Sequence, residues 1–415
     1  MSIFYIVNTR LPTEKANGYQ VCQMAQAFSE NGSPVTLLKP KRAISKNHLV
    51  YKNNLKEFYN LRIEPNVLEI WSIDFLYWLQ KIHFKIPGGQ FFANLFHSFT
   101  FVLGLIWFFQ KENYKQKKTK SSNLLYIRDV NILSWLYLFL PSHYKNNIVV
   151  ELHYLPETKN KIFRYIRILS KAKAVVCITH RMKEDLIQYG YATEKIIVEH
   201  DGVDLSSFQI SKTTQECREL FNYPLNELIV GYVGNFHTNG QEKGVDDLIK
   251  SAALVLDKHP NTLFYFVGGP MDRVPKYESI LSELSLPKEN FKFFDRRPLN
   301  LVPHSMLACD ILAIPLPWNS HFAYYMSPMK LFEYMSVGRC IVATDVDSLK
   351  EILVDGENSI LAKHSNLDSL SQAINFAIEN PKLRTQLSEN AKKQVQFYTW
   401  EKRAFRILNF LKDRI

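Results

Sequence analysis

The stretch "SPMKLFE", residues 327–333, has the residue types of a helix start that faces an anion. Ser327 is a good N-cap, and Pro328 suits the first helical position, where its missing amide proton costs nothing. The helix then runs through Met329 and Lys330 to Gly338. Its free first-turn amides carry roughly half a positive charge, to which Lys330 adds a full one. Glu333 follows about one turn later on a neighbouring face, so it does not serve the anion itself. A carboxylate there suits neutral hydroxyl donors, such as the two hydroxyls of a ribose beside a phosphate held by the helix end. The plainer alternative is a solvated glutamate paired with Lys330. A second fragment, "GYVGNFHTNGQEKGVDDLIKSA" (231–252), reads as strand, glycine-bearing loop and helix beginning near Gly244. Gly234 lets backbone approach a ligand, and Lys243 at the helix entry is placed to meet a diphosphate. Neither the G-x-G-x-x-G spacing nor a P-loop is present.

These residues need strands and helices to hold them. "IFYIV" (3–7), "PVTLL" (34–38), "NLLYIR" (123–128), "IVVELH" (148–153), "KAVVCIT" (173–179) and "KIIVEH" (195–200) are apolar runs with helical stretches between several of them. Strands that read apolar throughout and alternate with helices indicate a parallel sheet covered on both faces. The pattern restarts at "LIVGYV" and continues through "TLFYFVG", "FKFF", "DILAIP" and "CIVAT", with helices near 245–258, 277–284, 328–336 and 367–379. The expected fold is α/β, with two Rossmann-like doubly wound domains facing a central cleft where such sheets bind ligands. The first domain spans 1–205 and the second 206–395. A last helix, 396–415, is free to pack on either domain, with a return to the N-terminal one as an option.

Composition narrows the class. The 415 residues are 46% hydrophobic and 22% charged, which fits a folded chain, and the net charge of +11 favours anionic partners without choosing one. No recognition motif or aromatic platform supports nucleic acid as that partner. Five dispersed cysteines suggest a reducing compartment, and "SIFYIV" is too short for a signal peptide, so a cytoplasmic protein is expected. "HYLPE" with Glu157 lacks a second ligand at zinc spacing, and no Ser-His-Asp set or assignable carboxylate pair emerges, so no metal is expected. The run "FFANLFHSFTFVLGLIWFF" (91–109), followed by Lys111, Lys115, Lys117, Lys118 and Lys120, approaches transmembrane length. Asn94, His97, Ser98 and Thr100 interrupt it. A buried or partly exposed helix, or peripheral contact of 91–120 with the inner membrane face, fits better than a span.

In their order along the chain, "VGNF…EKGVDDLIKSA", "FYFVGG", "ACDILAIP", "SPMKLFEYMSVGRCIVATD" and "EILVDGENSILA" resemble the family-4 retaining glycosyltransferases of GT-B fold. The N-terminal half is similar more weakly, through "GYQVCQMAQAFSENG", "LLYIRDV", "VVELH" and "VEHDGVDLSSF". The resemblance implies transfer of a sugar from a nucleoside diphosphate, UDP ahead of GDP, to a carbohydrate or lipid-linked hydroxyl, with retention and without metal or other cofactor. It implies that Glu333 grips the donor ribose and Lys243 the diphosphate. Gly234, Asn235, Ser327, Pro328, Met329 and Lys330 would line the donor, with His153 at the transferred sugar and Gly18 near phosphate and acceptor. His153, Lys243 and Glu333 would carry catalysis; read alone, His153 also fits a hydrogen-bonded strand cap. Tyr325 stands where many members have a glutamate, and the arginine common before Lys243 is absent, so a catalytically degenerate nucleotide-sugar binder is the alternative. Cell-surface polysaccharide or glycolipid assembly is the expected setting.

Overall fold

The computed structural model describes residues 1–412 except 44–50, 52–53, 75–88, 117–122, 157 and 239. The expected roles of Glu157, Lys117, Lys118 and Lys120 lie outside the described residues. The chain divides into two compact units, Met1–His200 with Trp400–Ile415, and Asp201–Thr399. The divides fall at 200/201 and 399/400 rather than at 205/206 and 395/396. Backbone pairing accounts for the shift, because Val203 N donates to Tyr398 O within the second unit.

The first unit is built on seven strands: β1 (Ser2–Ile6), β2 (Val35–Pro40), β3 (Asn66–Ile70), β4 (Asn123–Ile127), β5 (Ile148–Leu152), β6 (Ala174–Cys177) and β7 (Ile196–Val198). They are all parallel, in the order β3-β2-β1-β4-β5-β6-β7. β1, β4, β5 and β6 are apolar because helices cover both faces, whereas β3 is a largely exposed edge strand whose polar "NVLEI" hides it from an apolar-run reading. Helix α1 (Ala16–Glu30) packs Phe28 on Tyr126, whose ring also meets Tyr5 edge-on at 5.1 Å. The 91–109 run lies in helix α2 (Gly89–Gln116). Its Phe101, Leu105 and Phe109 are buried, and Gly104 lies so close to Trp71 O that no side chain fits there.

The second unit contains β8 (Ile229–Val233), a short antiparallel hairpin of β9 (His237–Thr238) and β10 (Gln241–Glu242), β11 (Leu263–Val267), β12 (Phe291–Phe294), β13 (Ile311–Ile314), β14 (Cys340–Thr344) and β15 (Ile360–Ala362). Its parallel sheet runs β12-β11-β8-β13-β14-β15. In both units the order reverses beside the first strand, between β1 and β4 and between β8 and β13. A doubly wound sheet opens a crevice at the carboxyl ends of such a pair. Both units therefore have the Rossmann-like α/β architecture.

Candidate functional site

In the second unit the crevice is formed by the loop after β8 and by two helices, α3 (Val245–Leu256) and α4 (Met329–Val337). Tyr334 fastens α4 to the strand: its hydroxyl accepts from Val233 N at 2.7 Å and donates to Val233 O at 3.0 Å. Gly338, at φ 67°, ends the helix in the left-handed conformation that glycine adopts without strain. Pro328, not Ser327, occupies the N-cap position, and the helix begins at Met329. The Ser327 hydroxyl instead accepts from Asp201 N at 2.8 Å, so no side chain caps the first-turn amides of α4.

Lys330 projects from that first turn onto Tyr232. Its Nζ donates to the Tyr232 hydroxyl at 2.6 Å and lies 3.9 Å from the ring centroid, and the hydroxyl in turn donates to Asn235 O at 2.7 Å. A Cβ at Gly234 would stand 3.2 Å from Lys330 Nζ, and the glycine has φ 149°, so this loop and the lysine need a residue without a side chain. Lys243 immediately precedes Gly244, whose φ is 82° and whose added Cβ would overlap Pro315 O. That close approach seats the start of α3 at the end of β13. The first turn of α3 already carries Asp246 and Asp247, so an anion here would meet the Lys243 side chain rather than the helix end.

The charges at this crevice are poorly compensated. Burial, and then the nearby Lys243, hold Lys330 well below the ordinary lysine range, against a smaller pull from Glu333. Burial also lowers Lys243. Glu333 is pushed up to about 7 by burial, with Lys330 pulling the other way. Among the described residues, neither the Lys243 ammonium nor the Glu333 carboxylate has a hydrogen-bonding partner. Such an arrangement favours a ligand that brings its own negative charge to the lysines and hydroxyl donors to the glutamate. His321, lowered by burial and by Lys243, is a further member. It sits after β13, where only the strand order marks it.

The first unit places His153 directly after β5. Its Nε2 is 2.6 Å from Glu151 Oε1, and Gln20 Nε2 lies 3.4 Å from the same oxygen. The other oxygen of Glu151 accepts from Tyr126 Oη at 2.5 Å and from Arg403 Nη1 at 2.9 Å. Arg403 belongs to the C-terminal helix α5 (Trp400–Lys412) and also donates to His200 O at 2.8 Å. Burial opposes ionisation of Glu151, but Arg403 and the His153 hydrogen bond hold its carboxyl well below the usual range. His153 is lowered to about 4 by burial and by Arg128, so it is neutral near pH 7. Against an ionised carboxylate, neutral His153 carries its proton on Nε2, which leaves Nδ1 as a hydrogen-bond acceptor. Gly18, in the first turn of α1, is covered by Thr13 and the Tyr59 hydroxyl, which would lie 2.6 and 2.4 Å from an added Cβ.

The structure thus gathers Gly234, Asn235, Lys243, Met329, Lys330 and Glu333 around one strand end of the second unit, and His153 and Gly18 at the corresponding end of the first. Sequence reasoning missed Tyr232, Tyr334, His321, Glu151 and Arg403. The first two read as ordinary strand and helix apolar positions, and Glu151 as one residue of a buried strand.

Residues 214–394, most of the second unit, match the family model described as Glycosyl transferases group 1. Over 342 residues the chain is 24% identical to an uncharacterized glycosyltransferase, MJ1069, of Methanocaldococcus jannaschii, covering 81% of this chain and 77% of the relative. It is 23% identical over 242 residues to D-inositol 3-phosphate glycosyltransferase of Corynebacterium diphtheriae, covering 56% and 54% respectively. Among solved structures it is similar to Anabaena HepE in complex with UDP, with a TM-score of 0.70, 17% identity and full coverage of both chains. That likeness establishes a GT-B fold.

Proposed function

We propose that the protein is a retaining glycosyltransferase that moves a sugar from a nucleoside diphosphate to an acceptor hydroxyl. The observation that carries the reading is the cluster of Lys243, Lys330 and Glu333 at the uncapped start of α4, in which neither Lys243 nor Glu333 has a hydrogen-bond partner among the described residues. Lys243, Lys330 and the first-turn amides would receive the diphosphate and stabilise the charge that grows on it as the sugar–phosphate bond breaks. Glu333 would accept the ribose hydroxyls. Through Nδ1, His153 would accept a hydrogen bond from a donor-sugar hydroxyl. None of these steps calls for a metal. UDP is the preferred nucleotide, in keeping with the one bound by HepE.

The acceptor side is proposed to work at the inner membrane face, in polysaccharide or glycolipid assembly. Phe91, Phe92, Leu95, Phe99, Leu103 and Trp107 form an exposed stripe at close to four-residue spacing on α2, while the opposite face is buried in the unit. A fixed helix with one bare aromatic face, followed in sequence by a lysine run, suits the head-group region of an anionic bilayer.

The test is release of UDP from a panel of UDP-sugars, with and without membrane extract as acceptor source, followed by NMR assignment of the product anomer. Acceptor-dependent release with retained configuration, lost in Lys243→Ala and Glu333→Ala, is expected. Nucleotide binding without any sugar transfer is the result expected of a degenerate binder and would sink the enzymatic reading.

A further inference from the structure

The crevice of the first unit contains a cavity of about 470 Å³ lined in part by Arg128, Asp129, His153, Lys161, Arg164 and Tyr165. Its volume falls in the range that takes a small organic ligand. Several basic side chains elsewhere in the first unit are paired, as in Arg62–Glu30, Arg181–Asp185 and Arg406–Glu199. Here Arg128 makes one hydrogen bond, from Nη1 to Asn17 O at 3.3 Å, and among the described residues Arg128, Lys161 and Arg164 form no ion pair, Glu151 acting on Arg128 only at longer range. The carboxylate in the wall, Asp129, is engaged by Asn8 Nδ2 at 3.1 Å and by Asn131 N at 3.0 Å. Arg10 Nε, on the loop after β1, and Asn17 Oδ1, in the first turn of α1, are buried without hydrogen-bond partners.

Three cations around one concavity repel one another, and a half-buried guanidinium without an anion forgoes the charge-assisted bonds that stabilise it. His153, neutral and fixed by Glu151, shares the same wall and adds no compensating charge. We propose that this cavity binds an acceptor bearing a phosphoryl group, held by Arg128, Lys161 and Arg164, with the acceptor's uncharged part toward His153. The proposal rests on the glycosyltransferase reading and narrows its substrate class. A phosphomonoester on a sugar and a diphosphate linking a sugar to a lipid share the required chemistry. Arg128 stands at the end of β4 beside the reversal in strand order, where a doubly wound sheet opens its crevice, and this favours it as the anchor.

Calorimetric titration of the full chain, saturated with UDP so that the second unit is occupied, tests the idea with three probes: glucose, glucose 6-phosphate and farnesyl diphosphate. At least one charged probe is expected to bind tenfold or more tightly than glucose, with affinity falling as salt rises. The Arg128→Gln/Arg164→Gln variant should lose that advantage by tenfold or more while keeping the wild-type UDP affinity. Preference for glucose 6-phosphate would assign a phosphomonoester, and preference for farnesyl diphosphate a lipid-linked diphosphate. Charged probes that bind no better than glucose, or equally well in the variant, would overturn the proposal. Failure of UDP to bind the wild type would instead remove the donor reading, and the same probes titrated without UDP into wild type and variant would still decide the cavity's ligand.

Discussion

Glu151 and Glu333 are both carboxylates at the carboxyl end of a buried parallel sheet or on a helix beside one, yet the protein treats them oppositely. Glu151 has Arg403, Tyr126 and His153 on its oxygens and is held ionised. Glu333 has no hydrogen-bond donor among the described residues and is raised to about 7. The lysines divide the same way from the arginine: Arg403 is fully engaged, whereas Lys243 is lowered by burial and Lys330 by burial and then by Lys243. A satisfied buried network fixes geometry, and an unsatisfied one stores affinity for whatever completes it. Around Glu151 the first unit uses its charges to position His153, whereas around Glu333 the second leaves charged groups without such partners.

The largest effect expected from breaking this contrast is at Arg403. Arg403→Met leaves Glu151 buried without its counter-charge and should cost about 3–5 kcal/mol in denaturant unfolding. The double change Arg403→Met/Glu151→Gln removes both charges and should recover a large part of that loss. If the single variant lost less than the double, the network would not be the stabilising element described.

A smaller effect is expected at Glu333 and depends on pH. Its folded value of about 7 lies above its ordinary value of 4.5, so the folded state prefers the protonated form. The resulting stability is fully present below pH 4.5 and is lost as pH rises through 7. Without nucleotide, wild type should therefore decline relative to Glu333→Gln by on the order of 2 kcal/mol across that window. Parallel pH profiles for the two proteins would contradict the shift.

The smallest effect is spectroscopic. His153, at about 4, should remain neutral with its proton on Nε2 down to about pH 5 in ¹⁵N NMR of histidine-labelled protein. In Glu151→Gln the fixed tautomer should give way to a mixture. An imidazolium signal at pH 6.5 in the wild type would show that burial and Arg128 do not keep the ring neutral.

What the sequence made legible follows from how local each signal was. The apolar runs of β8, β13 and β14 and the glycines at 234, 244 and 338 mark strands and turns within a few residues, because backbone φ and burial act at that range. Pro328 and Lys330 likewise pointed to the start of α4. Ser327 misled by one position, since its hydroxyl was drawn away by Asp201 N, a partner 126 residues distant. Arg403 could not be found beforehand: it lies 252 residues from the carboxylate it compensates, and in sequence it is one basic residue on an amphipathic helix. Tyr232 was hidden for the opposite reason, being a plausible apolar strand residue whose hydroxyl turns out to link Lys330 to Asn235. The strand β15 and the helix Pro381–Gln394 went unremarked because the first is three residues long and the second is mostly polar.

The measurement that reaches the central claim most directly is thermal unfolding of wild type and Lys330→Met, each with and without UDP. If Lys330 is held against its own desolvation for the sake of a diphosphate, the methionine variant without nucleotide should unfold within about 2 °C of wild type or above it. Wild type with UDP at about 100 times its dissociation constant should gain roughly 2.7 kcal/mol, and the variant should gain almost nothing. A variant that unfolds well below wild type and still responds fully to UDP would contradict the account, and would make Lys330 a structural cation satisfied by Tyr232.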